Sequence, residues 1–275
     1  MTNAAADEAP QEGNTATATA PKLPENTLEA LYNRAAKSFK LIKLPALYEH
    51  ELTKPAQQKL WAAFHTVHSM YFNMNLSRAL WRDLQKKDHR GRVSESDADI
   101  LRAAITFAGA GLDASLKQLI RDTIRPLIKI HAPCRIKFHE FVDRHLASGE
   151  AMHRKHLRAV LVDERGSSAA LVELYEWDLT GDSPQSAQQV QDVCGALGVN
   201  DKNIRRRLQE GECLDKMFRA RNCIVHQLDL IPGASNERTR RSIEQAREFS
   251  REALDVTQLI INDVGRALGK KRGHP

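Results

Sequence analysis

The sequence contains few of the residues that mark disulfide-rich, zinc-binding or membrane-spanning proteins. Only 4 of its 275 residues are cysteine, and Cys134, Cys194, Cys213 and Cys223 form no C-x-x-C pair. Neither a disulfide framework nor a zinc ribbon is therefore expected. No apolar run approaches the roughly 20 residues of a membrane-spanning helix, and the N-terminus lacks the basic and then apolar layout of a signal peptide. We expect a cytoplasmic protein without membrane segments.

Signatures of several common catalytic sites are also missing. There is no G-x-x-x-x-G-K-S/T phosphate loop and no G-x-S-x-G, and Gly109-Ala110-Gly111 lacks the third glycine of a dinucleotide fingerprint. Pairs of histidine at i,i+3 spacing and one mixed cluster match no recognised metal-ligand spacing. These are His65 with His68, His153 with His156, and His131, Cys134, His139 and Glu140. We therefore predict neither a metal nor a cofactor.

The pattern of apolar residues is helical. Glycine and proline are sparse between residues 56 and 126, and apolar residues recur there at three- and four-residue steps. One long helix is predicted over about 96–130, with Pro126 bending or ending it and the patch 108–111 allowing close helix contact. Ser183 is a candidate N-cap for the helix that follows residue 183 in the sequence. Further helices are predicted over 138–146, 152–162, 169–177, 187–197, 203–209, 212–228 and 237–268. The predicted fold class is an all-α bundle.

Composition and charge divide the chain into regions. Residues 1–26 are poor in apolar surface and are predicted to be a disordered tail, and residues 27–95 form an N-terminal helical region. The formal net charge is +6, and residues 201–275 carry sixteen Lys/Arg against eleven Asp/Glu, including a basic tail at 271–275. Such an excess suits a polyanion such as nucleic acid. Its clusters are equally consistent with solvated helix faces.

One predicted helix places a charged residue on its apolar stripe. Projected at 100° per residue, Met217, Phe218 and Val225 lie on one face of the helix at 212–228, and Arg221 falls within that face. A polar stripe beside it contains Asp215, Arg219, Asn222, His226 and Asp229. A buried guanidinium costs several kcal/mol unless it is compensated. Arg221 is therefore either paired in the core or directed to a cleft or partner subunit that binds an anion.

The segment Arg221-Asn222-x-x-x-His226 resembles the R-x(4-6)-H motif of the HEPN superfamily (higher eukaryotes and prokaryotes nucleotide-binding). The context is similar too, because the motif comes late in an all-α region, after Leu214-x-x-Met217-Phe218 and before a turn and a long helix. The earlier helix at 112–127 resembles the first core helix of that bundle. The resemblance covers roughly residues 96–270. It implies a HEPN-like helical domain to which residues 27–95 add N-terminal helices.

The resemblance implies metal-independent RNA cleavage in a homodimer. His226 is then the general base or acid, since histidine is the side chain that changes charge near neutral pH. Arg221 holds phosphoryl oxygens, and Asn222 orients His226 or contacts phosphate. Asp113 is a candidate partner of Arg221. Candidate phosphate-binding residues nearby are Arg219, Arg205, Arg206, Arg207, Arg238, Arg240 and Arg241.

The predicted partners are RNA, a second copy of the chain, and an antitoxin or other regulatory protein, as for a toxin or phage-defence effector. Two alternatives remain open. The chain is a HEPN-like module that binds nucleotide or RNA, or mediates regulatory dimerisation, without catalysis. Otherwise it is a helical nucleic-acid-binding protein in which Arg221 is structural.

Overall fold

The computed structural model describes residues 44–85, 94–147, 155, 160, 167–209, 212–233 and 237–269. The predicted tails at 1–26 and 271–275, most of the predicted helix at 152–162, and the pair His153 and His156 lie outside these residues. Among the described residues no helix has the length and apolar character needed to cross a membrane.

The all-α prediction is confirmed for the described residues. A 3-10 turn at Glu51–Thr53 leads into the first of eight helices described. They are α1 (Lys54–Gln85), α2 (Glu95–Ile130), α3 (Ala132–Ala147), α4 (Ser167–Thr180), α5 (Ala187–Ala196), α6 (Lys202–Gln209), α7 (Glu212–Gln227) and α8 (Ile243–Gly269). The one extended pairing described is an isolated antiparallel bridge between Leu230 and Arg238.

Helix α2 is the centre of the bundle. Helices α1, α3, α4, α7 and α8 all pack against it. Leu60 of α1, Leu112 of α2 and Ile260 of α8 belong to the same hydrophobic core, and the Tyr71 hydroxyl lies 3.1 Å from Ser250 Oγ between α1 and α8. The boundary placed at residue 95 in the sequence therefore does not separate two cores, because α1 shares the core of the later helices.

Small residues bring neighbouring helices close to α2. A Cβ added at Gly111 would lie 2.2 Å from the Cβ of Ala63, and one added at Gly109 would lie 3.5 Å from Cγ of Arg221. The glycine-alanine patch thus allows close contact, as predicted, with α1 on one side and α7 on the other.

Pro126 does not end α2, which continues past it to Ile130 as predicted. Two other predicted helix features differ in the structure. Helix α8 begins at Ile243 rather than at 237, because Arg238 is in the bridge with Leu230. The cap of α5 is Ser186, whose hydroxyl accepts the N–H of Gln189 at 3.3 Å. The predicted cap, Ser183, instead donates to Asp113 Oδ2 at 2.9 Å.

Candidate functional site

The motif helix α7 is buried in its first half and exposed in its second. Leu214, Met217 and Phe218 are buried in the core and fix the helix against α2 and α8. Val225 and Leu228, which the helical projection placed on the same apolar stripe, are exposed. The motif therefore begins at the edge of the core and ends at the surface.

Arg221 lies at the point where α7 leaves the core. Its aliphatic stem lies over Gly109 of α2, where an added Cβ would be in ordinary van der Waals contact with Cγ of Arg221, and its side chain is half-buried. Nη1 donates to Gln185 Oε1 at 3.0 Å and to Asn222 Oδ1 at 2.9 Å. Both acceptors are neutral amides, and no carboxylate of the described residues pairs with this guanidinium. Its positive charge is thus held in place without being neutralised.

The other two motif residues have different surroundings. Asn222 accepts a hydrogen bond from Arg221 and so orients the guanidinium. His226 is exposed, and its ring has no hydrogen-bond partner among the described residues. On an ideal helix Arg221 and His226 are about 140° apart. One chain therefore presents the cation in a recess and the imidazole on the surface.

The predicted partnership between Asp113 and Arg221 is not present. Asp113 Oδ1 lies 3.3 Å from Lys117 Nζ, and its other oxygen accepts from Ser183. The neighbouring carboxylate Asp215 of α7 accepts the N–H of Ala187 at 2.9 Å and so supports the first turn of α5. Both carboxylates near the motif helix thus bind other groups of the fold and not Arg221.

The end of α7 is anchored by a buried ion cluster. Asp229 is completely buried and accepts from Arg102 Nε at 3.1 Å and from Arg241 Nη2 at 2.6 Å. Leu228 and Asp229 have φ values of 52° and 60°, so the chain turns sharply after α7 through backbone conformations that cost free energy. The two arginines hold this turn against α2.

The structure gives the predicted phosphate-binding arginines three kinds of environment. Arg241 is nearly buried on Asp229, and Arg238 contacts Asp99 at 2.8 Å, so both are engaged by the fold. Arg207 Nη1 lies 3.5 Å from Glu252 and 3.9 Å from Asp255. The remaining members of the set are exposed, and their strongest described contacts, where present, are with neutral groups. They are Arg205, Arg206, Arg219 and Arg240.

No metal-binding cluster of three or more His, Cys, Asp or Glu occurs in the part of the chain that the structure describes. His131 instead contacts the carbonyl of Gly198 at 3.0 Å. The four cysteines are free thiols, and burial raises the pKa of Cys134 and of Cys194 to about 12. These two thiols therefore remain protonated at neutral pH and are unsuited to nucleophilic chemistry.

Two residues that define the site were not found from the sequence. Gln185 lies far from Arg221 in the chain, and an isolated glutamine carries no pattern. Asp229 was placed on the polar stripe of α7, but its role as an anchor depends on Arg102 and Arg241. The signal that could have indicated it is an aspartate directly after a predicted helix, followed by the basic cluster at 238–241.

Comparisons with family models, curated proteins and solved structures found no match.

Proposed function

We propose that the chain is a metal-independent endoribonuclease of the HEPN type. The observation that supports this most directly is the environment of Arg221, a half-buried guanidinium bonded only to neutral amides. Arg102, which is buried, has a carboxylate partner in Asp229, as the cost of an unpaired buried charge requires, whereas Arg221 has none among the described residues. Arg221 retains its full charge for an anion, and a phosphate fits its planar donors.

The chemistry requires a proton acceptor in addition to the cation. In RNA the ribose 2′-hydroxyl loses its proton and attacks the adjacent phosphorus, the bond from phosphorus to the 5′-oxygen of the next nucleotide breaks, and that oxygen takes up a proton. The negative charge that develops on the phosphoryl oxygens must also be stabilised. His226 is exposed and free to accept that proton, while Arg221 stabilises the charged phosphoryl oxygens. Neither role needs a metal ion.

A second copy of the chain completes the proposed site. Within one chain the recessed Arg221 and the surface His226 face different directions, so they are poorly placed on a single phosphate. Exposed apolar residues continue from the end of the motif helix into the following turn, at Val225, Leu228, Leu230 and Ile231. Contiguous exposed apolar surface is typical of interaction sites. A twofold contact there brings the two motif helices together.

The test is cleavage of RNA by the purified full chain in excess chelator. We expect Arg221→Ala and His226→Ala each to lower the single-turnover rate about 100-fold or more. Products should end in a 2′,3′-cyclic phosphate. Matched controls are Arg135→Ala and His139→Ala, which remove the same side chains from exposed positions of α3.

Cleavage at the wild-type rate by both motif variants would refute the assignment, as would strict dependence on added magnesium. RNA binding that requires Arg221 without any cleavage would instead favour the non-catalytic binding module. Replacement of Leu228 or Ile231 by glutamate should convert a dimer into a monomer in light scattering and abolish cleavage with it. A wild-type chain that is fully active as a monomer would exclude the shared site.

A further inference from the structure

A cavity of about 720 Å³ lies between α3, α4, α5 and α6, and neither Arg221 nor His226 lines it. Each helix contributes one face, at spacings such as 137, 140 and 144 on α3 or 204, 205 and 208 on α6. The volume is in the range of sites that enclose small organic ligands, roughly 300–1,000 Å³. The charged residues of these faces are exposed and most of the apolar ones are buried, so the cavity has a polar mouth and a largely apolar floor.

The floor contains the side chain of a tyrosine whose ring is buried. Tyr175 is 3% exposed, and its ring packs against Phe138 and Phe141 at centroid distances of 5.5 and 4.8 Å. Its hydroxyl has no hydrogen-bond partner among the described residues. Burial raises the pKa of Tyr175, so the hydroxyl remains a donor at all physiological pH values. Tyr175 lines the cavity, so a polar group of a ligand there could form a hydrogen bond with this hydroxyl.

The mouth carries three cations and three carboxylates, and only some of them are bonded to other residues. Lys137 Nζ is bonded to Glu140 at 2.7 Å, and Asp192 accepts from Gln188 at 3.0 Å. The other three charged groups have no ion pair with a described residue. They are Arg144 on α3, Asp178 on α4 and Arg205 on α6.

We propose that this cavity binds a small phosphorylated compound with a ring and free hydroxyl groups, of the class of a nucleoside monophosphate. Arg144 and Arg205 supply the forked donors that suit a phosphate. Asp178 accepts from hydroxyl or amino groups, and the apolar floor beside Tyr175 receives the ring. The balanced charge of the mouth suits a ligand that has both an anionic end and hydrogen-bond donors. None of these groups belongs to the motif, but Arg205 is also a predicted RNA contact, so the experiment must distinguish a nucleotide in the cavity from an RNA path.

The experiment is titration calorimetry of the full chain with AMP, GMP, CMP and UMP, and with adenosine and ribose 5-phosphate for comparison. At least one nucleotide should bind more tightly than either fragment. Combined Arg144→Ala and Arg205→Ala substitutions should weaken binding at least about tenfold. Tyr175→Phe, which removes only the hydroxyl, should weaken it about threefold. Thermal unfolding monitored by circular dichroism verifies that each variant is folded.

Control variants show whether the ligand binds in this cavity or elsewhere. Arg206→Ala removes the neighbouring charge of α6 and should leave affinity unchanged, as should Arg221→Ala. Failure of all four nucleotides to bind at millimolar concentration overturns the proposal, and so does adenosine binding as tightly as AMP. Affinity lost in Arg221→Ala but kept in the double variant would move binding to the motif. Competition by single-stranded RNA at equal phosphate concentration would assign the two arginines to an RNA path.

Discussion

Arg221 and Arg241 lie on either side of the turn that follows the motif helix, and they bind different partners. Arg241 is almost buried and bonds both oxygens of Asp229, which Arg102 also contacts. Arg221 is half-buried and bonds only the amide oxygens of Gln185 and Asn222. The first environment neutralises its charge and stabilises the fold. The second orients a charge and leaves it available, which is what an anion-binding site requires.

The largest effect is expected from removal of the buried carboxylate. Asp229→Ala leaves the guanidinium groups of Arg102 and Arg241 buried without their main counter-charge, and should lower the free energy of unfolding by about 3–5 kcal/mol. Chemical denaturation measures this. Asp99→Ala is the matched control, because Asp99 contacts Arg102 from an exposed position and should cost less than about 1 kcal/mol. Equal losses in the two variants would show that burial does not distinguish these contacts.

Arg207 provides an intermediate case with a pH signature. Burial raises the pKa of Asp255 to about 6, and Arg207 only partly opposes this. Because the folded-state pKa lies above that of an unfolded aspartate, the stability contribution is full below about pH 4 and is lost as pH rises through 6. Asp255→Asn should therefore stabilise the protein by about 1–2 kcal/mol at pH 7.5.

This gain should disappear at pH 4 in thermal unfolding measured across the same range. Glu244→Gln removes an exposed carboxylate from the first turn of α8 and serves as the control. A gain of the same size at both pH values would mean that the carboxylate charge is not its source.

A smaller effect is expected when Arg221 is given the partner it lacks. Gln185→Glu places a carboxylate at the position of an amide that is 3.0 Å from Nη1. An exposed ion pair of this kind contributes up to about 1 kcal/mol, so RNA affinity should fall about fivefold while stability rises slightly. Filter binding and thermal unfolding measure the two effects. Gln245→Glu adds the same charge on α8 and should change neither; unchanged affinity in Gln185→Glu would place the RNA phosphate away from Arg221.

The smallest effect concerns the glycine beneath Arg221. A Cβ at Gly109 would have ordinary contacts with Arg221 and Met217, so Gly109→Ala should stabilise the protein by roughly 0.5–1 kcal/mol through helix propensity. Gly111→Ala should have the opposite sign, because its Cβ would collide with that of Ala63. Denaturant titration of both variants tests this. Destabilisation by Gly109→Ala would show that the stem of Arg221 needs the glycine.

The sequence predicted those features that depend on local periodicity. The long helix α2 and the motif helix α7 follow from apolar spacing, and the position of Arg221 on the apolar stripe agrees with its half-burial. The start of α8 at Ile243 was not predictable in this way, because Leu230 and Arg238 pair across a turn. The partners of Arg221 and Asp113 were also missed. Side-chain pairs between distant segments depend on the packed fold, and helical projection carries no information about them.

The Asp229 cluster also has a consequence for biosynthesis. Arg102 and Asp229 are separated by 127 positions in the chain, and Arg241 and α8 follow still later. Because synthesis proceeds from the N-terminus, α1 and α2 emerge from the ribosome well before the residues that fix the end of α7. The ion cluster around Asp229 therefore cannot form until Arg241 has been synthesised. The turn that ends α7 is thus fixed only late in translation.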